Sequence, residues 1–200
     1  MVTLSLLIIS YFLGSIPFGF LVAKGVKKID IRKVGSGNIG ATNVFRVVGK
    51  KWGILVFILD FLKGIFAPIL TRGFLPSAEN YIYIVSAVLP ICGHNWTPFL
   101  KFKGGKGVAT SLGAIAGLGF IFPKLWVCIV LALCGWIAVF SIFKYVSLAS
   151  IVATAIFFVF SLIFSLPVEV KVLSFFLFLF ILIRHKTNIK KLLSKKEHRF

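Results

Sequence analysis

Residues 35–43 read GSGNIGATN, a stretch with three glycines and no charge in a chain that is otherwise mostly apolar. Gly35, Gly37 and Gly40 permit close backbone approach, so that N–H groups can converge on an anion. Ser36, Asn38, Thr42 and Asn43 add donors with little bulk, and Arg46 can grip a phosphate through two parallel bonds. Three more segments carry related chemistry: GHNWTPFLKFKGGKGVAT at 93–110, SLAS at 147–150 and RHKTN at 184–188. In the first of these, Lys101, Lys103 and Lys106 surround Gly104 and Gly105 just before an apolar run. A helix beginning there would set its N-terminus and the lysines around a phosphate. Ser147 and Ser150 fit either helix capping or a polar site. His185 and Asn188, three residues apart, share one helical face beside Arg184.

Several familiar chemistries are excluded. The three glycines match G-x-G-x-x-G, but dinucleotide binding needs a preceding strand in a βαβ unit. Here a basic loop precedes them and apolar helices follow. The 101–107 segment is not a Walker A loop either, because Leu100 holds the place of its first glycine and Gly107 the place of its Ser or Thr. The acids are Asp30, Asp60, Glu79, Glu169 and Glu197, and none lies in the four polar segments. Asp60 and Lys63, at i and i+3 inside an apolar run, read as a buried ion pair. The His-x4-Asp pattern of many acyltransferases is absent: Phe99 follows His94 at that spacing, and Lys190 follows His185. Cations and donors without a carboxylate base suit a donor that is already activated. Catalysis then comes from positioning and from stabilising developing negative charge. Small-residue helix packing is the plain alternative for the glycines, and a cytoplasmic basic loop the plain alternative for the lysines. Neither accounts for Asn38, Thr42, Asn43 and Arg46 together, or for Gly104, Gly105 and Gly107.

The elements that must position these residues are membrane helices. The 200 residues are 59% hydrophobic and 14% charged, with a mean hydropathy of +1.04; soluble chains carry about 25% charged residues. Apolar runs fall at 2–23, 52–71, 80–97, 108–122, 125–143, 146–165 and 168–183. About 20 helical residues cross a hydrocarbon core, so an all-α integral membrane protein of about seven transmembrane helices is expected. The fourth run is short, and with the fifth it reads as a helical hairpin with its tip at Pro123. The first run lacks a basic leader and reads as a retained span rather than a cleaved signal peptide. No repeat or linker divides the chain, so a single domain over 1–200 is expected.

With the N-terminus outside and the C-terminus cytoplasmic, nineteen of the 23 basic residues face inward and three (Arg72, Lys124, Lys171) face outward. The net charge of +18 thus reads as topology rather than nucleic-acid binding. All four polar segments then lie at the inner face. Cys92, Cys128 and Cys134 sit in apolar runs with no CxxC or Cys/His grouping, so neither disulfide nor zinc is expected.

These four segments, in this order over nearly the whole chain, resemble the bacterial membrane acyl-phosphate:glycerol-3-phosphate acyltransferases, the PlsY family. The resemblance implies seven helices and a cytoplasmic active site. It also implies acyl transfer from acyl phosphate to the 1-hydroxyl of glycerol 3-phosphate, giving lysophosphatidic acid and phosphate in the first step of bacterial phospholipid synthesis. By matching position it implies Ser36, Arg46, Lys106, Ser147, His185 and Asn188 as catalytic residues. Gly35, Gly37, Asn38, Gly40, Thr42, Asn43, Lys103, Gly104, Gly105, Ser150 and Arg184 are expected to bind substrate. The partners implied are acyl phosphate, glycerol 3-phosphate and the lipids of the inner membrane, with no cofactor or metal. One departure is Lys195, where the family often has glycine. The rival class is a transporter of phosphorylated solutes, which would place its substrate near the midplane between broken helices and internal repeats.

Overall fold

The computed structural model describes residues 1–200, and its regular structure is entirely helical. Ten α-helices follow in order: α1 (Val2–Ser15), α2 (Phe18–Lys27), α3 (Ala41–Val47), α4 (Lys50–Phe74), α5 (Asn80–Asn95), α6 (Val108–Gly119), α7 (Leu125–Phe143), α8 (Val146–Ile163), α9 (Val168–Arg184) and α10 (Lys186–Leu193), with short 3-10 turns at Ile31–Lys33 and Pro98–Leu100. Four stretches are long and apolar enough to cross a membrane: Val2–Lys27, Lys50–Phe74, Leu125–Phe143 and Val146–Ile163. Large apolar side chains such as Ile8, Phe12, Ile58, Val130 and Phe176 lie exposed along these and other helices. On a water-soluble protein so much apolar surface would drive aggregation; on this one it faces lipid. The chain divides into two compact units, Met1–Ile121 and Phe122–Phe200.

The apolar runs mark the helices closely except at the first. The run over 2–23 is two helices, because Pro17 lacks an N–H and drives Ile16 out of the α region, to ψ 116°. The break frees carbonyls inside an apolar segment, where each unsatisfied polar group is costly. Side chains from elsewhere in the first unit meet them. Lys63 Nζ donates to the Ile16 carbonyl at 2.8 Å, and Thr97 Oγ1 donates to the Ser15 carbonyl at 2.7 Å. Lys63 is in turn paired with Asp60 at 2.8 Å, as the i, i+3 spacing predicts, and both are 2% exposed. The ion pair therefore also stabilises a broken helix.

Around that knot the first unit packs through glycines. Gly14 lies on the backbone of Pro90, joining α1 to α5. Between α4 and α6 the contacts are closer still: a Cβ on Gly64 would strike the Thr110 carbonyl oxygen, and one on Gly113 would strike that of Phe61. On Gly117 it would lie 2.5 Å from Pro68 Cγ and 2.6 Å from the Ile65 carbonyl oxygen. Gly113 and Gly117 form a G-x-x-x-G pair, which lets two helix backbones approach without an apolar driving force from lipid. Gly113→Ala is expected to cost about 2 kcal/mol through overpacking. The thermal unfolding midpoint in detergent reads this, with Gly25→Ala as a control because nothing lies within 4 Å of a Cβ at Gly25. At the far end of α4, Tyr83 closes the turn into α5, its hydroxyl donating to the Leu75 carbonyl at 2.6 Å.

The helix stops at Gly119 and restarts at Leu125 around Pro123, where the sequence places a break. In the second unit, Gly135 on α7 faces Ile156 of α8. Ser161 and Ser174, both buried, share a 2.6 Å hydrogen bond between α8 and α9, the polar pairing that helices use in lipid. The C-terminal tail folds onto the α7–α8 turn: Phe200 N–H donates to the Lys144 carbonyl at 2.9 Å, and Phe200 meets Phe140 edge to face. Lys195 begins the tail at φ 56°. This left-handed backbone costs an L-residue about 1–2 kcal/mol and a glycine almost none. Lys195→Gly is expected to stabilise the fold by about 0.5 kcal/mol after glycine's own entropy is subtracted. A raised midpoint in chemical unfolding would show it.

Candidate active site

The GSGNIGATN segment is a loop leading into α3, and Asn43 is its knot. The Asn43 amide donates to the carbonyls of Ile31, Val34 and Asn38 at 3.3, 3.0 and 2.9 Å, and its Oδ1 accepts Ser36 N–H at 2.9 Å. Asn43 is 2% exposed. Its amide is thus engaged within the loop, so Asn43 shapes the site rather than reaching a ligand. Gly35, at φ 64°, has no room for a side chain against Asn43 Oδ1. The loop also uses more of its own amides than the glycine spacing predicts. Gly37 N–H donates to the Val34 carbonyl at 3.2 Å and Gly40 N–H to Asn38 Oδ1 at 2.7 Å, so neither is a ligand donor here. Ser36 is exposed at the tip, and Arg46 is exposed on α3. Upstream, Arg32 bonds both Asp30 oxygens and holds that carboxyl down to about 2, so Asp30 stays ionised and is no acid–base group near neutrality.

The lysine segment doubles back on the end of α5. Gly104 and Gly105 N–H groups donate to the carbonyls of Asn95 and His94, each at 3.1 Å, and Phe102 N–H donates to that of Thr97 at 2.9 Å. Gly107, at φ 78°, turns the chain into α6. Lys106 is therefore held one residue before a helix N-terminus, where unpaired N–H groups and the helix dipole favour an anion. Lys103 is exposed, while Lys106 is half-buried. The buried side-chain oxygens of Thr110 and Ser111 follow in the first turn of α6, with no protein partner.

In the second unit, one acid gathers two of the expected residues. Glu197 Oε1 accepts from Asn188 Nδ2 at 2.8 Å and from Ser147 Oγ at 3.3 Å. Ser147 is not a helix cap, and neither is Ser150, whose hydroxyl donates to the Val146 carbonyl at 2.8 Å and accepts from Trp136 Nε1 at 3.3 Å. Tyr145 holds the N-cap position of α8 with no side-chain bond. His185 ends α9 and starts α10, so it stands at a bend, with Asn188 in the first turn beyond it. It is 3% exposed, and its Nδ1 lies 2.8 Å from the Ile181 carbonyl. A carbonyl oxygen only accepts, so Nδ1 carries the hydrogen and Nε2 is the ring's acceptor when neutral. Arg184 is half-buried at the last turn of α9.

Glu197 lies outside the four polar segments singled out in the sequence, and its part in the site is visible only in the fold. The only local signal is an acid among Lys195, Lys196 and Arg199. Glu197→Ala is expected to lower turnover about 10- to 100-fold by releasing Ser147 and Asn188 from their geometry. Turnover measured against the thermal midpoint separates that effect from simple unfolding.

The helices and loops define a multi-pass membrane protein whose polar backbone turns carry cations and hydroxyls suited to phosphates. Comparison with known proteins narrows this class. A family model described as Glycerol-3-phosphate acyltransferase matches residues 4–195. The glycerol-3-phosphate acyltransferase of Aquifex aeolicus (strain VF5) is 43% identical over all of both chains. That of Endomicrobium trichonymphae is 46% identical, over 96% of this chain and 93% of its own. The crystal structure of PlsY (YgiH), an integral membrane glycerol 3-phosphate acyltransferase, in its glycerol 3-phosphate form matches with a TM-score of 0.90. Its lysophosphatidic acid form matches with a TM-score of 0.87; both are 40% identical and cover 100% of this chain and 96% of theirs. The chain belongs to the glycerol-3-phosphate acyltransferase family.

Proposed function

We propose that this chain transfers a fatty acyl group from acyl phosphate to the 1-hydroxyl of glycerol 3-phosphate, giving lysophosphatidic acid and inorganic phosphate. The observation that carries the reading is the family match across residues 4–195, which includes all six expected catalytic residues. The glycerol 3-phosphate and lysophosphatidic acid forms of the PlsY neighbour name a substrate and a product of the same kind.

In the reaction the hydroxyl oxygen forms a bond to the acyl carbonyl carbon, the carbon–oxygen bond to phosphate breaks, and the hydroxyl proton leaves on the phosphate. No carboxylate of this chain is required as base. Arg46 and Lys106 bind phosphate oxygens, Ser36 donates to phosphate or carbonyl oxygens, and Ser147 does so once its hydroxyl turns from Glu197 to the substrate. His185 and Asn188 orient glycerol 3-phosphate, with Gly35, Gly104, Gly105, Thr42, Lys103, Ser150 and Arg184 supporting them. The chain crosses the bacterial inner membrane seven times, with the N-terminus outside and the C-terminus and active site cytoplasmic, in keeping with nineteen inward basic residues against three outward. α6, of 12 residues, is about 18 Å long and is buried along most of its length.

The broken first helix is a feature transporters also have. Here its freed carbonyls are occupied by Lys63 and Thr97 rather than left for a solute. The experiment is direct. Purified protein given palmitoyl phosphate and glycerol 3-phosphate is expected to release phosphate and lysophosphatidic acid in equal amounts. Glycerol 3-phosphate uptake into vesicles without any lysolipid would replace this reading by transport.

A further inference from the structure

Beneath the lysine loop lies a buried group of charged and titratable side chains that the acyl transfer does not consume. Asp60 and Lys63 of α4 and His94 of α5 are each at most 4% exposed. Lys63 Nζ lies 2.8 Å from Asp60 Oδ1, and His94 Nδ1 lies 3.5 Å from the same oxygen. The other edge of the imidazole faces the glycine pair: a Cβ on Gly105 would collide with His94 Nε2, and one on Gly104 with the His94 carbonyl oxygen. Neither glycine has a positive φ. At these two positions a side chain is therefore excluded by His94 and not by backbone conformation. The carbonyls of His94 and Asn95 hold the same two residues by their N–H groups at 3.1 Å, and the next residue is Lys106.

We propose that His94, aligned by Asp60, is a positioning residue for the phosphate-binding loop. Its ring sets the height of the Gly104–Gly105 peptides, and so the place from which Lys106 and the first turn of α6 meet a phosphate. Asp60 and Lys63 already neutralise one another and need no imidazole, and an apolar side chain would fill the space below the loop without a polar group to satisfy. What an apolar residue would lack is the directional hold between α4 and the loop. The chain of contacts runs from the Ile16 carbonyl through Lys63, Asp60 and His94 to Gly105. The inference rests on the reading of Lys106 as a substrate-binding cation.

A double-mutant cycle on the full-length purified protein tests it, with KM and kcat measured for palmitoyl phosphate and for glycerol 3-phosphate. His94→Ala and Gly105→Ala are each expected to raise KM for at least one phosphorylated substrate about tenfold, with kcat changed less than about threefold. Combined, they are expected to return KM to within about threefold of wild type, because the methyl added at 105 occupies space the ring has left. Single variants with wild-type KM, or a double variant impaired as the product of the two, would overturn the proposal. If His94→Ala does not fold, His94→Phe keeps the ring without a nitrogen for Asp60; a KM raised about fivefold supports the alignment, and an unchanged KM removes it. Lys106→Ala separates the two levels. Impaired Lys106→Ala beside unimpaired His94 variants sinks only the positioning role, whereas wild-type kinetics in Lys106→Ala sinks the assignment on which it rests.

Discussion

Lys106→Ala is expected to lower kcat/KM at least about 100-fold, and Arg46→Ala by a similar factor, the loss typical of removing one fixed donor from developing negative charge. The two cations act differently. Lys106 is a point charge on a flexible stem, half-buried and placed one residue before the N-terminus of α6. Arg46 offers a planar fork that fits two phosphate oxygens at once. Lys106→Arg should therefore not restore full activity, since the fork is bulkier and more weakly hydrated than the ammonium. Arg46→Lys should keep charge and lose the second bond. If either side chain only binds substrate in the ground state, KM rises and kcat holds; if it meets charge that develops in the transition state, kcat falls with kcat/KM. Lys171→Ala, in the first turn of α9, is the control and should stay within about twofold of wild type.

Asp60→Ala is expected to destabilise the protein by about 3–5 kcal/mol, because it leaves the Lys63 ammonium buried without its counter-charge. The measurement is the unfolding midpoint in detergent. Asp60→Leu combined with Lys63→Met should recover most of the loss, since a well-packed apolar pair often matches a buried ion pair. Recovery should stop short by about 1 kcal/mol, because the Ile16 carbonyl then loses the donor that Lys63 supplied at 2.8 Å. A double variant as unstable as the single one would mean that the charges are not coupled.

Much of the fold is legible from periodic apolar runs, because lipid forces every spanning backbone to satisfy itself as helix. The i, i+3 spacing of Asp60 and Lys63 likewise announces a pair. Pro17 was the missed signal in the first run. Its effect depends on partners for the freed carbonyls, and Lys63 and Thr97 lie 47 and 82 residues beyond the carbonyls they meet. The helix seam at Gly64, Gly113 and Gly117 is invisible for the same reason: a glycine's use as a contact is set by the facing helix. In the site, residue types pointed to phosphate chemistry, but side-chain roles did not follow from type. Asn43 reads as a donor to a ligand and is instead the knot of its own loop. Ser147 and Ser150 read as possible caps, but they lie inside α8 and cap nothing. Glu197 has no local pattern at all; only the fold of the tail brings it to Ser147 and Asn188. Lys195 is the opposite case, a departure visible in sequence whose meaning, a left-handed backbone, is conformational.

The claim on which the account turns is that the glycine, lysine, serine and histidine segments serve one reaction at the cytoplasmic face. Single cysteines at Ser36 and Lys186, both exposed, introduced after Cys92, Cys128 and Cys134 are replaced by alanine, test it with a membrane-impermeant thiol reagent. In inverted inner-membrane vesicles both sites are expected to label, and in right-side-out spheroplasts neither. Labelling of the two from opposite faces of the membrane would contradict the account.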